Sequence, residues 1–100
     1  MTIYGEGNRL TNEAILQLGE HTDMIECECP THLIAILKKI RAFSEYSQTC
    51  IEKFPKDEKM HKWLLSASLN LDTLLSGTIG QLARHEGFIN ESNEFVARKS

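Results

Sequence analysis

The stretch 50-CIEKFPKDEKM-60 decides how this chain folds, because its proline separates two long helical patterns. Pro55 disfavours helical geometry in the residue before it, so a helix entering the stretch stops at Phe54. Asp57 is a good N-cap for a helix leaving it. Upstream, Leu33, Ile36, Leu37, Ile40, Phe43, Ser47, Cys50, Ile51 and Phe54 recur at spacings of three and four, which predicts a helix over 30–54 with one buried face. Downstream, Met60, Leu64, Ala67, Leu71, Leu74, Thr78, Leu82 and His85 keep close to the coiled-coil repeat of about 3.5 residues. They predict a helix over 57–86, with Gly87 as its C-cap. Pro55 and Lys56 alone join the two, so they should fold back as an antiparallel hairpin.

The second helix is apolar on more than one side. Trp63, Leu65, Leu69, Leu75 and Ile79 lie off its main stripe, which calls for a second contact, either a short N-terminal helix or another subunit. Gly77 and Gly80 each weaken the helix by about 1 kcal/mol relative to Ala, a cost tolerated where another element approaches closely. Residues 1–10 read as a loose arm, and Thr11 or Asn12 can cap a short helix from Glu13 to Leu18 that Gly19 would end. Residues 20–28 are a polar, acidic connection with Met24 and Ile25 as anchors, and the end of the chain reads as a short docked segment or a frayed one. Nothing alternates as a strand. The expected fold is therefore all-α: an antiparallel helical hairpin of two long helices plus a short N-terminal helix, with two hairpins pairing into a four-helix bundle dimer. The divisions are an arm with its short helix at 1–26, the hairpin domain at 27–89 and a tail at 90–100.

Composition narrows the function classes. One hundred residues, 41% of them hydrophobic, fit one soluble domain with a modest core that a partner subunit or a bound ion would help complete. The formal charge is −3, and acidic residues crowd the first third (Glu13, Glu20, Asp23, Glu26, Glu28), which argues against direct nucleic-acid binding. No leader-like or membrane-length apolar run is present, so the expectation is a cytoplasmic chain without membrane contact. There is no glycine-rich phosphate loop, no GxSxG, no HExxH and no pair of carboxylates in an apolar setting, and hence no sign of an enzyme. Lys38, Lys39, Arg41, Glu45, Glu52, Lys53, Glu58, Lys59 and Lys62 read as solvated helix faces.

The chemistry concentrates in 26-ECECPTHL-33. Pro30 suits the first position of a helix, which makes Cys29 its cap. In the expected hairpin, residues whose numbers add to about 111 lie at one level, since both helices rise equally per residue. Cys29 then comes level with Leu82, His32 with Ile79, and Cys27 falls near His85. Cys27, Cys29, His32 and His85 thus gather at one end as a tetrahedral ligand set for zinc or another divalent transition metal. A plainer reading stands beside it: Cys29 as a cap, Cys27 as a small buried thiol, His32 on the surface, and His85 as a cation at a helix C-terminus. A redox thiol, or haem held at Cys29-Pro30, is a third option. Cys50 and His61 also fall at one level, where core packing explains them. Ser66, Ser68, Ser76 and Thr78 read as small residues at a helix crossing or as a polar groove.

The run 27-CECPTHLIAILKKIRAFSEYSQTC-50, followed by 60-MHKWL-64 and 84-RHEGFI-89, resembles a helical domain carried C-terminally by some bacterial MerR-type transcription regulators. In those proteins Cys-Glu-Cys-Pro-x-His-Leu opens the domain, Ala-Phe-x-x-Tyr-Ser follows and His-Glu-Gly ends it. The likeness spans about residues 27–89 and implies an effector or dimerisation module. With 26 residues ahead of it, no winged-helix DNA-binding domain is expected here. Two functions follow as expectations. One is a regulatory sensor that binds a zinc-like ion through Cys27, Cys29, His32 and His85 and acts through protein contacts. The other is a metal-free helical dimerisation or interaction module. Both imply a homodimer, or a partner regulator protein.

Overall fold

A computed structural model describes residues 2–20 and 28–96. The acidic connection at 21–27, with Met24, Ile25 and Cys27, lies outside the described residues, as do Met1 and residues 97–100. The described chain is all-helical in its regular structure. It has α1 (Asn12–Glu20), α2 (Cys29–Lys53) and α3 (Glu58–His85), with 3-10 turns at Glu6–Asn8 and Pro55–Asp57. Among the described residues extended pairing is limited to isolated bridges, Thr2 with Glu94, Tyr4 with Leu10 and Ile89 with Phe95.

The helix ends follow local chemistry. Thr11 caps α1, accepting the Ala14 N–H on its hydroxyl at 3.0 Å. That helix runs on through Gly19 to Glu20, two residues beyond the expected stop, because nothing forces Gly19 out of helical geometry. Cys29 is the first residue of α2 rather than its cap; Glu28 holds the cap position without a side-chain bond, and Pro30 is one residue inside the helix. At the other end the Phe54 N–H still reaches Cys50 O at 2.9 Å before the proline turns the chain. Asp57 takes the cap position of α3, again without a side-chain bond. α3 ends in a Schellman pattern: Gly87 at φ +87°, its N–H on Arg84 O at 3.1 Å and the Phe88 N–H on Ala83 O at 2.9 Å. The motif turns Phe88 inward, where it is almost wholly buried.

The apolar core sits at the end of the molecule where α2 begins and α3 ends. Ile34 and Leu37 of α2 and Ile79 and Ala83 of α3 meet Ala14, Ile15 and Leu18 of α1 there, with Phe88 and Ile89 beyond the last helix. The first ten residues are not a loose arm. Ile3 and Leu10 belong to this core. The Ile3 N–H donates to Asn93 O at 2.7 Å, the Thr11 N–H to Ile3 O at 2.9 Å, and the tail closes with the Val96 N–H on Phe88 O at 2.7 Å. Tyr4 lies so close to α3 that a Cβ on Gly80 would stand 1.8 Å from its hydroxyl oxygen. Glycine at 80 is thus a condition of seating the arm.

A polar network locks the same arm to both long helices. Arg41 donates from Nε to Asp72 Oδ2 at 2.9 Å and from Nη2 to Asp72 Oδ1 at 3.2 Å, to Leu10 O at 2.6 Å, and from Nη1 to Asn12 Oδ1 at 3.0 Å. Ser76 Oγ donates to Asp72 Oδ1 at 2.9 Å and accepts the Leu10 N–H at 3.0 Å. Asp72 is 3% exposed and Ser76 fully buried. A side chain so enclosed needs its polar atoms satisfied, and the Arg41 guanidinium and the Ser76 hydroxyl do so. Arg41 is accordingly a tie between elements and not part of a solvated face.

Candidate functional site

The proposed metal cluster is not found. Among the described residues no group of three or more His, Cys, Asp or Glu side chains is placed to hold a metal ion, which overturns the reading of this chain as a metal sensor. Cys27 lies outside the described residues. Cys29, His32 and His85 are all exposed, and His32 faces the carboxylate of Glu28, the cap residue of its helix, at 3.6 Å. The physical reason is that a shared level is a condition along the helix axis only. Ligands must also converge on one point, and these side chains project into solvent instead.

What the structure does present is a bare apolar face. The expected buried stripes divide in two. Leu37, Ser47 and Cys50 are buried, whereas Ile36 and Phe43 on α2, Phe54 just beyond it, and Met60, Leu71 and Leu74 on α3 are exposed together with Trp63. Ile36, Ile40 and Phe43 line one wall of an open groove of about 340 Å³ and Leu64, Ala67 and Leu71 the other, with Lys39 at its margin.

Small polar groups at the contact between the helices produce this arrangement. The Ser44 and Ser68 hydroxyls meet at 2.7 Å, Ser68 also donating to Leu65 O at 2.7 Å, and Ser47 is buried nearby. With Asp72, which Arg41 reaches from α2, they mark the line along which α2 and α3 touch, and the bulky residues next to them on each helix are turned outward. Gly80 and Thr73 lie about 180° round α3 from Leu71 at 3.6 residues per turn. They meet the arm, Gly80 at Tyr4 and Thr73 through a 3.1 Å bond to Gly7 O. The arm therefore covers one broad side of α3, and among the described residues the groove side is left open.

Charge is depleted on this helix. From Trp63 to Ala83 its one charged residue is Asp72, which is consumed by Arg41. That lone acid in an apolar run is the signal that marks the buried network in the sequence. Near the turn, Cys50 is buried and His61 packs its ring 6.2 Å from that of Phe54, in keeping with core packing for the Cys50 and His61 pair. A side-chain hydrogen bond with Cys50, and then its charge, push the exposed Tyr46 phenol above its ordinary range, burial adding the least. Ser68 is a crossing residue, against Ser44, whereas Ser76 ties α3 to the arm at Leu10, and Ser66 and Thr78 are exposed. Among the described residues no helix is long and apolar enough to cross a membrane. Comparison of the chain with protein-family models, with curated proteins and with solved structures finds no match.

Proposed function

We propose that this chain is a helical interaction module that works through protein contacts on the open face of α2 and α3 and needs no metal to do so. In this reading α2 and α3 form an antiparallel hairpin, which the contacts Arg41–Asp72 and Ser44–Ser68 support, their numbers adding to within two of the value the level rule requires. The hairpin is one half of a four-helix bundle that another helical pair completes. The observation that carries the proposal is the set of large apolar side chains left outside the core: Ile36, Phe43 and Leu71 line the groove, and Met60, Trp63 and Leu74 fall within about 80° of Leu71 round α3 by helical spacing, Trp63 at 69% and Leu74 at 70% exposure. A contiguous apolar surface of this kind marks an interaction site in a folded chain. The resemblance of 27–89 to a domain of MerR-type regulators fits a regulatory setting in the cytoplasm, where the module would act on a partner regulator without chemistry of its own and without touching nucleic acid.

The test is binding of a hydrophobic dye, bis-ANS, by dilute protein. Open apolar grooves take up such a dye, and the double substitution Phe43→Glu and Leu71→Glu should abolish uptake while circular dichroism stays helical. Dye binding unaffected by the substitution, or none by wild-type protein shown to be monomeric, would remove the face from consideration.

A further inference from the structure

We infer that the occupant of the open face is a second copy of this chain, related by a two-fold axis passing close to Phe43 and Leu71. The inference rests on the reading of this face as an interaction surface and names its partner. Three observations lead to it.

The first is layering. A stable core needs two packed layers of secondary structure. The end holding Ile3, Leu37, Ile79 and Phe88 has them, because the arm, α1 and the tail lie over the long helices. Around Phe43 and Leu71 no other described residue covers the groove side of α2 and α3, in a molecule 55 Å long and 17 Å in its thinnest dimension.

The second is area. Ile36, Phe43, Met60, Trp63, Leu71 and Leu74 are 43 to 70% exposed. At roughly 150–250 Å² for a large side chain they present on the order of 600 Å² of apolar surface. One partner contributes about 800 Å² to a standard interface, polar rim included, so this patch is of the size a stable dimer needs.

The third is the kind of surface. On α3 the outward residues Met60, Leu64, Ala67, Leu71 and Leu74 alternate spacings of four and three, and on α2 Ile36, Ile40 and Phe43 do the same. A seam with that repeat accepts knobs of a like seam. A copy rotated by 180° brings the same knobs to the same holes, as an isologous contact requires. Among the described residues Lys39 is the one charged residue lining the groove, so a strongly charged peptide finds little to recognise there, whereas a second, equally apolar wall meets a like surface.

Sedimentation equilibrium from nanomolar to high-micromolar protein tests this, with bis-ANS uptake followed on the same samples. The expected result is a monomer–dimer equilibrium, with dye uptake falling as dimer forms. Phe43→Glu together with Leu71→Glu should weaken pairing by roughly a hundredfold or more, since two charges are then placed in a desolvated seam. Circular dichroism should show the variant helical. Leu16→Glu, at an exposed position on α1 away from the face, should leave pairing unchanged. A wild-type monomer at every concentration that still binds the dye overturns self-pairing and leaves the interaction reading standing. A monomer that binds no dye removes both. A dimer that survives the double substitution shows that another surface pairs the chains, and overturns the inference.

Discussion

Replacing two glycines of the same helix by alanine should have opposite consequences. In an exposed helix interior, Gly→Ala gains about 1 kcal/mol through the entropy of the unfolded chain and better helix propensity. At Gly77 a new Cβ meets nothing within 4 Å, so Gly77→Ala should realise that gain in full. For a domain of this size it amounts to a rise in melting temperature of roughly 4–8 °C. Gly80→Ala starts from the same intrinsic gain, but its Cβ would overlap the Tyr4 hydroxyl at 1.8 Å and the adjoining ring carbon at 2.8 Å. Tyr4 must swing away. Burying a large side chain contributes about 1.5–3 kcal/mol, and the half-buried Tyr4 stands to lose roughly half of that, with the arm loosened besides. Gly80→Ala should therefore be neutral or destabilising by up to about 2 kcal/mol, some 1–3 kcal/mol worse than Gly77→Ala. Urea unfolding followed by circular dichroism at a fixed, dilute concentration reads both. In a Tyr4→Ala background the overlap is gone, and Gly80→Ala should recover its gain of about 1 kcal/mol. If Gly80→Ala stabilises the wild type as much as Gly77→Ala does, Tyr4 is not seated on α3 and the account of the arm is wrong.

Other outcomes follow from the same contacts. Asp72→Ala strands the Arg41 guanidinium and removes the acceptor of Ser76, and should cost about 3 kcal/mol, the low end for breaking a buried pair because Arg41 keeps some solvent. Amide exchange at Leu10, which donates to Ser76, should quicken with it; a loss under about 1 kcal/mol would argue that the network is not closed in solution. Thr11→Ala removes the cap of α1 and should cost about 1 kcal/mol, with faster exchange confined to the first turn of that helix. Cys50→Ala should lower the pH at which Tyr46 ionises toward the unperturbed value of 10.0, read by ultraviolet absorbance in a Tyr4→Phe background. The raised value means that the folded chain holds the phenolic proton. Any stabilisation from that contact is present below about pH 10 and lost as pH climbs through the raised value. A midpoint indifferent to Cys50 would sink the assignment.

The residues alone were enough for the helices and their punctuation, because propensity, capping and proline geometry act within a few positions. Pro55 separates α2 from α3, Thr11 opens α1, and Gly87 closes α3 with a positive φ that other residues rarely adopt. The lone charge at Asp72 inside an uncharged run is a signal that went unread, and its partner Arg41 looked like any surface cation. Periodicity says that a helix has an apolar side but not what lies against it. Only the tertiary structure decided that Ser44, Ser47 and Ser68 fill the contact between the long helices while Phe43 and Leu71 face outward. The ligand set met the same limit, since matching levels along two helices do not make Cys29, His32 and His85 converge. The arm carried no periodic signal at all. Ile3, Tyr4 and Leu10 are held by contacts to Asn93, Gly80 and Ser76, between 66 and 90 positions away along the chain, and no local rule reaches that far.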